Sequence, residues 1–202
     1  IQDSGLQVDH PEFRDANGVS RVQLIDWFAA SGVTGSQDAN HYRDFDGHGT
    51  HCGGTATGLN FGWASNARVY SVKVNGLNGS GDSGTGISVN SCFDVIKGWH
   101  QNKPIDPKTG YKRPTIVNAS WGYSGSIGSS FSNIESYVYR GVTYNSSTAG
   151  WNSTTAYHRD TYGFYPYYRN NAYRYPLRIA SVDADVQDCI DAGVHICIAA
   201  GN

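Results

Sequence analysis

The stretch that organises this chain reads Asp46-Gly47-His48-Gly49-Thr50-His51-Cys52-Gly53-Gly54-Thr55-Ala56. A histidine between two glycines, followed by small residues, predicts a side chain presented at the start of a helix that packs closely against its neighbours. His51 and Cys52 follow His48 by three and four positions, so the three side chains are expected on one helical face. Each interior glycine costs a helix roughly 1 kcal/mol relative to alanine. A segment that carries this cost is expected to form part of a site.

The composition predicts one globular domain and argues against two classes of partner. The chain has 202 residues, 39% of them hydrophobic, which is enough to bury a single core. Its 15 basic and 17 acidic side chains nearly cancel, so neither nucleic acid nor an anionic membrane is indicated as a partner. No apolar run approaches the roughly 18 residues that a membrane span needs.

The chain contains no methionine, and its last residues, 199–202, stop directly after an apolar run. We therefore expect it to be a segment of a longer protein. Its four cysteines show neither the spacing of a metal site nor a dense disulfide framework. Free buried thiols are expected, although a disulfide between Cys189 and Cys197, or one that includes Cys92, stays open. The redox compartment is therefore undecided.

Strand and helix patterns alternate along most of the chain. Residues 67–74 alternate and are rich in β-branched side chains, which is typical of a strand, and residues 87–100 place apolar side chains on one helical face. This alternation predicts an α/β fold: a mostly parallel, doubly wound sheet with helices on both faces, incomplete at both ends. The predicted order is a strand ending at Asp3, a helix at 20–30, the histidine helix, a strand at 67–74, a helix at 87–100, a strand at 115–119, a helix that Ser181 caps and Gly193 ends, and a fully buried strand at 194–199.

Residues 123–180 break this alternation. Ten of the fourteen tyrosines lie between positions 137 and 175. Such aromatic content predicts a packed, contact-making insertion rather than a disordered linker. We therefore predict a single domain over 1–202 with an insertion at about 123–180, which offers a surface for a protein partner.

Polar or glycine-rich segments follow four of the predicted strands. Because parallel strands end at the same edge of a sheet, these segments are expected to converge where ligands bind in such folds. His48 opens a helix that should face the same edge. The converging segments are Asp3, Gly79-Ser80-Gly81, Ser120-Trp121-Gly122 and Ala200-Gly201-Asn202.

Five segments, taken in order, resemble the subtilisin-like serine proteases, or subtilases. The Cys52-bearing histidine motif is most similar to that of the proteinase K branch. The resemblance covers most of the chain outside residues 14–40 and 123–180. The matching segments are Asp3-Ser4-Gly5 with His10-Pro11-Glu12, the stretch 46–55, Tyr70-Ser71-Val72-Lys73-Val74 with Asn78-Gly79-Ser80-Gly81, Asn118-Ala119-Ser120-Trp121-Gly122, and Ala199-Ala200-Gly201-Asn202.

The resemblance implies a serine endopeptidase with the chain order Asp, His, Ser of subtilisin. Asp3 would hold the imidazole of His48 in the right tautomer. His48 would take a proton from a serine and return it to the leaving amine. Asn202 would donate its side-chain amide to the developing oxyanion.

The same resemblance implies how a peptide or protein substrate binds. Gly79, Ser80 and Gly81 would pair with the extended substrate on one side, and the segment 120–122 on the other. The pocket for the residue before the scissile bond would be bordered by Trp121, Ala200 and Gly201. An extracellular location is favoured by the resemblance alone.

No cofactor is implied; calcium binding stays open, but its site is not identifiable from the sequence. The calcium-binding loop of the family looks shortened at 59–63, so this site cannot be carried over. Glu12 remains as a candidate ion ligand without further support.

One element of the family pattern is missing. The nucleophile of subtilases lies in a Gly-Thr-Ser-x-Ala segment beyond the asparagine, and the 202 residues hold no such segment. We expect the nucleophile to lie outside this sequence, and the 202 residues alone not to hydrolyse peptides. The alternative, from a different class, is a non-catalytic subtilase-like module in a larger assembly, in which the insertion makes the contacts.

Two further motifs support weaker hypotheses. Gly81-Asp82-Ser83-Gly84 resembles the nucleophile motif of chymotrypsin-like proteases, but the chain lacks the all-β pattern of that family. A metal cluster for hydrolysis could be formed by His41, Asp46, His48 and His51. The glycine-rich surroundings and the missing glutamate weaken that hypothesis.

Overall fold

A computed structural model describes residues 1–77, 84–126, 136–148, 167–169 and 172–200. The described residues divide into two compact units. One combines the described parts of Ile1–Gly122 and Ile179–Gly201, and the other lies within Tyr123–Arg178. Predictions that fall on 78–83, 127–135, 149–166, 170–171 and 201–202 lie outside the described residues.

Short strands and helices alternate in the first unit, and strands make up the second. In chain order, the first unit contains β1 (Gln2–Asp3), a 3-10 helix (Pro11–Phe13), β2 (Val22–Gln23), α1 (Trp27–Ser31), α2 (His48–Thr57), β3 (Val69–Tyr70), β4 (Val72–Lys73), α3 (Val89–Asn102), β5 (Thr115–Ala119), α4 (Ala180–Asp191) and β11 (Val194–Ile198). The second contains β6 (Ser124–Ser126), β7 (Ser136–Tyr139), β8 (Val142–Asn145), β9 (Tyr167–Arg169) and β10 (Ala172–Pro176).

Three strand pairs of the first unit run parallel. β1 pairs with β4, β2 with β3, and β5 with β11. At the ends of these pairs, Asp3 lies opposite Lys73, and Ile198 lies opposite Ala119. Parallel strands separated by helices are the arrangement that the sequence predicts for an α/β fold.

Side-chain caps fix where two of the helices begin. The Asp26 carboxylate accepts a hydrogen bond from the N–H of Ala29 at the start of α1, and the Ser88 hydroxyl accepts one from Ser91 at the start of α3. α3 confirms the helix predicted at 87–100. None of the helices that the structure describes has the length and apolar character needed to span a membrane.

The helix predicted at 20–30 is wrong in its first half. Val22 and Gln23 form β2, opposite Val69 and Tyr70, and the helix begins only at Trp27. Pairing with a distant strand decides the conformation of this segment, and the local helical spacing of apolar residues carries no information about that partner.

The single strand predicted at 67–74 is two short strands. Between β3 and β4 lies Ser71, whose carbonyl oxygen accepts a hydrogen bond of 2.8 Å from the indole N–H of Trp27. The segment pairs with β2 before this break and with β1 after it. One stretch of sequence therefore connects two strand pairs.

The strand predicted at 194–199 forms as β11, but it is not fully buried. Val194 is 2% exposed, whereas Ile198 is 57% exposed and Ile116 on the neighbouring β5 is 68% exposed. The core covers only one face of this strand pair, the face on which Val117 and Ala119 are buried. Because strand side chains alternate between faces, an apolar run alone does not show whether both faces are covered.

Two hydrophobic clusters hold the first unit together. In the larger cluster, the ring centroid of Trp27 lies 5.4 Å from that of Trp99 and 6.2 Å from that of Tyr70. This cluster also takes in the inner faces of α3 and α4 and the strands between them. The smaller cluster consists of Leu6, Phe13, Val22 and Val69.

All four cysteines are free, so neither disulfide alternative forms. Cys92 and Cys189 are buried, Cys52 is half-buried and Cys197 is exposed. Burial raises the pKa of Cys92 to about 12 and that of Cys189 to about 11. These two thiols are therefore protonated at neutral pH and act as small core side chains.

The unit within Tyr123–Arg178 is built from antiparallel strands. β6, β10 and β9 lie side by side in that order, and β7 forms a hairpin with β8. Arg140 and Gly141 connect the hairpin with φ angles of 50° and 79°. Two successive left-handed residues are typical of a tight hairpin turn.

Candidate active site

β1 and α2 bring a carboxylate and an imidazole together. Asp3 is the last residue of β1, and His48 is the first residue of α2. The Nδ1 atom of His48 lies 2.8 Å from Oδ1 of Asp3, which is a hydrogen-bond distance. The side chain of Asp3 is 1% exposed and that of His48 is 52% exposed. A buried acid therefore fixes one side of the imidazole, and the ring remains accessible for proton transfer.

The electrostatics favour a protonated ring. The hydrogen bond to Asp3 raises the pKa of His48 above its ordinary value of 6.5, and partial burial opposes this shift only in part. The negative charges of Asp3, Asp46 and Asp44 act in the same direction. An imidazole in this setting is stabilised once it has accepted a second proton, as a general base requires.

Glycines in the histidine segment allow the close approach of helix and strand. A Cβ at Gly49 would lie 2.2 Å from the carbonyl oxygen of Gly5 and 3.1 Å from Cβ of Asp3. Gly47, with φ of 92°, takes the left-handed conformation just before the helix. The predicted close packing of this helix is confirmed, and it allows His48 to reach the acid.

An aspartate that the sequence reasoning missed holds the start of α2. The Asp44 carboxylate accepts hydrogen bonds of 2.8 Å from the backbone N–H groups of Gly47 and Thr50, and one of 2.9 Å from the hydroxyl of Ser4. Gly47 has no side chain with which to cap the helix, so this carboxylate satisfies the free N–H groups instead. The sequence signal is weak, since the residue lies four positions before His48 rather than at the cap.

Cys52 completes the surroundings of the imidazole. Its Sγ atom lies 3.7 Å from Nδ1 and 3.8 Å from Nε2 of His48. Partial burial raises the pKa of the Cys52 thiol, so it is a neutral neighbour at pH 7. Among the described residues, Asp3, His48 and Cys52 are the set of three whose ligand atoms lie within 4.8 Å of one another. Asp3 and His48 are already hydrogen-bonded to each other, so we assign no metal to this set.

The metal cluster hypothesised from His41, Asp46, His48 and His51 does not form in the described part of the chain. His41 is buried and bonds to the side chain of Gln37 at 3.1 Å, and burial lowers the pKa of His41. His51 lines a separate groove of about 430 Å³. The other side chains along that groove include Gln7, His10, Glu12, Thr50 and Phe61.

A family comparison decides what this arrangement is. The family model described as the subtilase family matches residues 1–202. The chain belongs to the subtilase family. This membership confirms the resemblance drawn from the five motifs, and it confirms the α/β fold of this subtilase.

Curated relatives of this subtilase are named as serine proteases. It is 29% identical over 203 residues to the subtilisin-like serine protease Cur l 4.0101 of Cochliobolus lunatus, which covers all of this chain and 27% of that protein. It is 31% identical over 139 residues to proteinase R of Parengyodontium album, which covers 67% of this chain and 29% of that protein. A cuticle-degrading serine protease of Arthrobotrys oligospora is 37% identical over 88 residues, covering 44% of this chain and 19% of that protein.

This subtilase spans less than a third of the length of each of these relatives. No solved structure matches the chain. The family and its named members place the chain in a peptidase family.

Two of the predicted substrate-side residues lie close to the acid and the imidazole. The indole N–H of Trp121 donates a hydrogen bond of 2.9 Å to the carbonyl oxygen of Gln2, the residue before Asp3. The same indole packs against the larger core cluster, so it has a structural role in the subtilase. Ser120 lies near the Cys52 thiol and lowers its pKa, against the larger effect of burial.

The other predicted substrate-side residues are placed less fully. Gly122 and Ala200 are exposed beyond the ends of β5 and β11. Their roles, like those of the remaining residues, stay predictions. Outside the described residues lie Gly79, Ser80, Gly81, Gly201 and the oxyanion candidate Asn202.

The carboxylate of Glu12, the candidate ion ligand, is hydrogen-bonded to another residue of the chain. Its carboxylate accepts hydrogen bonds from the backbone N–H of Asn60 at 2.9 Å and from the Asn60 side chain at 2.7 Å. These hydrogen bonds lower the pKa of Glu12. A Cβ at Gly58 would lie 2.7 Å from the same carboxylate. Glu12 therefore holds the loop that follows α2 in place.

Proposed function

We propose that this subtilase is part of a serine endopeptidase, to which the 202 residues contribute the orienting acid, the general base and the oxyanion donor. The observation that supports this most directly is the 2.8 Å contact between Nδ1 of His48 and the buried carboxylate of Asp3. An acid that holds Nδ1 leaves Nε2 of the same ring to exchange protons with a nucleophile.

The proposed reaction moves one proton in two steps. His48 accepts the proton of a serine hydroxyl while the serine oxygen attacks the scissile carbonyl, which gives an imidazolium and a tetrahedral oxyanion. Asp3 stabilises the imidazolium through Nδ1–H without taking its proton. His48 then protonates the leaving amine as the C–N bond breaks, and water releases the acyl group by the same route. Asn202 donates to the oxyanion, a contact worth about 2.7–4 kcal/mol in subtilisin, the established example.

The proposed reaction also needs a serine nucleophile and a bound peptide. The nucleophile is proposed to lie outside the 202 residues, because they contain no Gly-Thr-Ser-x-Ala segment. An extended peptide would pair with the segments 79–81 and 120–122, with Trp121, Ala200 and Gly201 around the residue before the scissile bond. We propose an extracellular site of action on the basis of the family resemblance.

Covalent labelling by a fluorophosphonate probe tests this function. A chain extended beyond residue 202 through its serine segment is expected to label, because the general base activates the serine. His48→Ala is expected to abolish labelling. The matched control is His51→Ala, three positions later on the same helix, which should label like the parent chain. The 202 residues alone should not label.

A folded, extended protein that never labels would overturn the proposal. That outcome would favour a non-catalytic subtilase-like module whose insertion binds a protein partner. Activity that is lost with a chelator and is indifferent to the probe would indicate metal-dependent hydrolysis instead.

A further inference from the structure

We propose that the Asp44 carboxylate is the positioning group for His48, because it ties the first turn of α2 to the residue that follows Asp3. The proposal rests on the proposed function in one respect, since it is proton transfer by His48 that needs a fixed imidazole. The hydrogen-bond network that carries it is a property of the 202 residues themselves.

Both oxygens of the carboxylate are occupied by donors from the turn that opens α2. Oδ1 accepts from the backbone N–H of Asp46 at 3.1 Å and of Gly47 at 2.8 Å. Oδ2 accepts from the backbone N–H of Thr50 at 2.8 Å and from its hydroxyl at 2.5 Å. These donors lie on both sides of His48 in the sequence, so one carboxylate fixes the backbone before and after the imidazole.

A fifth hydrogen bond extends the network to the acid of the site. The hydroxyl of Ser4 donates to Oδ1 of Asp44 at 2.9 Å and accepts from the backbone N–H of Gly49 at 2.9 Å. The backbone N–H of Ser4 donates to Oδ1 of Asp3 at 2.7 Å, the same oxygen that contacts His48. Asp44 therefore acts at once on the helix that carries the base and on the residue that orients the acid.

The backbone around Asp44 is itself held in place. The carbonyl oxygen of Tyr42 accepts from the backbone N–H of Leu6 at 2.7 Å. The carbonyl oxygen of Arg43 accepts from the buried ammonium of Lys73 at 2.8 Å. The segment that carries Asp44 is thus hydrogen-bonded to the chain after β1 and to β4. Because this segment is held in place, the carboxylate can fix the positions of the groups that donate to it.

The charge of Asp44 suits this role. Burial opposes its ionisation, but hydrogen bonds from Thr50, Gly47 and Ser4 outweigh burial and hold its pKa below the ordinary value of 3.8. A carboxylate at the N-terminal end of a helix also interacts favourably with the free N–H groups there. Around His48, the other charged or titratable groups are Asp3 from β1, Asp46 from the preceding turn and Cys52 on its own helix.

The test compares two variants that remove the same charge. Asp44→Asn replaces an acceptor oxygen with an N–H donor that faces other donors. Asp46→Asn also removes a negative charge near His48, but the side chain of Asp46 is outside the hydrogen-bond network. In the 202-residue chain, NMR titration reports the pKa of His48, and the Nδ1–H proton signal reports its contact with Asp3. We expect Asp44→Asn to lower the pKa of His48 further than Asp46→Asn does, and to broaden or abolish the Nδ1–H signal that Asp46→Asn retains.

An equal effect of the two variants would overturn the proposal, since it would show that Asp44 acts only by its charge. If Asp44→Asn does not fold, as judged by circular dichroism, Ser4→Ala decides in its place. That uncharged variant breaks the link between Asp44 and Gly49, and it is expected to weaken the Nδ1–H signal in a folded protein. An unchanged signal in Ser4→Ala would contradict the proposal. None of these readouts needs a nucleophile, so a protein that never labels with a fluorophosphonate leaves this result intact.

Discussion

At the scale of single residues, the acid and the base of the site differ in exposure in a way that fits their chemistry. Asp3 is buried beneath the ring, where it cannot exchange its hydrogen bond for one with water, and half of the His48 side chain is exposed. A hydrogen bond to a buried carboxylate is stronger than one at the surface because the local dielectric is lower. The raised pKa of His48 is the measurable consequence.

His48 is expected to stabilise the fold in a pH-dependent way. Its pKa is raised above 6.5 in the folded state, so the stabilisation is fully present below the unfolded pKa and is lost as pH rises through the folded pKa. His48→Gln should therefore lower the free energy of unfolding more at pH 5 than at pH 9. Urea denaturation at both pH values checks this. His51→Gln is the control on the same helix, and a loss for His48→Gln that is identical at both pH values would contradict the prediction.

At the scale of elements, the packing around α2 explains why this helix contains so many glycines. Gly49 and Gly53 are buried, and a Cβ at Gly53 would lie 2.9 Å from the side chain of Leu6. Gly54 has open space around it, with nothing within 4 Å of a Cβ built there. The low helix propensity of the segment is therefore offset by close packing at two of these three glycines and not at the third.

This difference predicts opposite effects of the same substitution. Gly49→Ala should destabilise the protein by about 1–3 kcal/mol, because the new methyl group would meet the backbone of Gly5, which cannot move aside cheaply. Gly54→Ala should stabilise it by about 0.5–1 kcal/mol, because alanine is the better helix former and meets no neighbour. Chemical denaturation of both variants measures the two effects. A stabilising Gly49→Ala would show that helix and strand are not in the contact described here.

At the scale of the whole molecule, the described members of both hydrophobic clusters come from one unit. Among the residues that the structure describes, the members of the larger and the smaller cluster lie in 1–122 and 179–200. The unit within Tyr123–Arg178 contributes its own antiparallel strands. The insertion begins directly after Ser120, Trp121 and Gly122, the segment proposed to pair with substrate.

Replacing residues 123–178 with a flexible glycine–serine linker should therefore have two outcomes. The remaining unit is expected to unfold cooperatively on heating, because it keeps every core member that the structure describes. In the extended chain, we expect the pattern of peptide cleavage to change, because the insertion enters the sequence between the proposed substrate-binding segments 120–122 and 200–201. Circular dichroism and cleavage of a peptide library measure these outcomes. Unchanged cleavage together with unchanged partner binding would contradict the role given to the insertion.

The family, the α/β class and the two central residues of the candidate site were predictable from the amino-acid sequence. Each of these depends on short segments whose chemistry is local: a carboxylate after a strand, and a histidine between glycines at a helix start. α3 was predictable for the same reason, since its apolar spacing and its Ser88 cap lie within one stretch.

Features that depend on distant partners emerge only in the folded chain. Val22 is in a strand because it pairs with Val69, and β11 is half exposed because the core covers one face of its pair. The sequence signal for Asp44 as a positioning residue is weak, since the link to the acid passes through Ser4, 40 residues away in the chain. Hydrogen bonds and burial between segments far apart in sequence are set by the folded arrangement, and local pattern does not encode them.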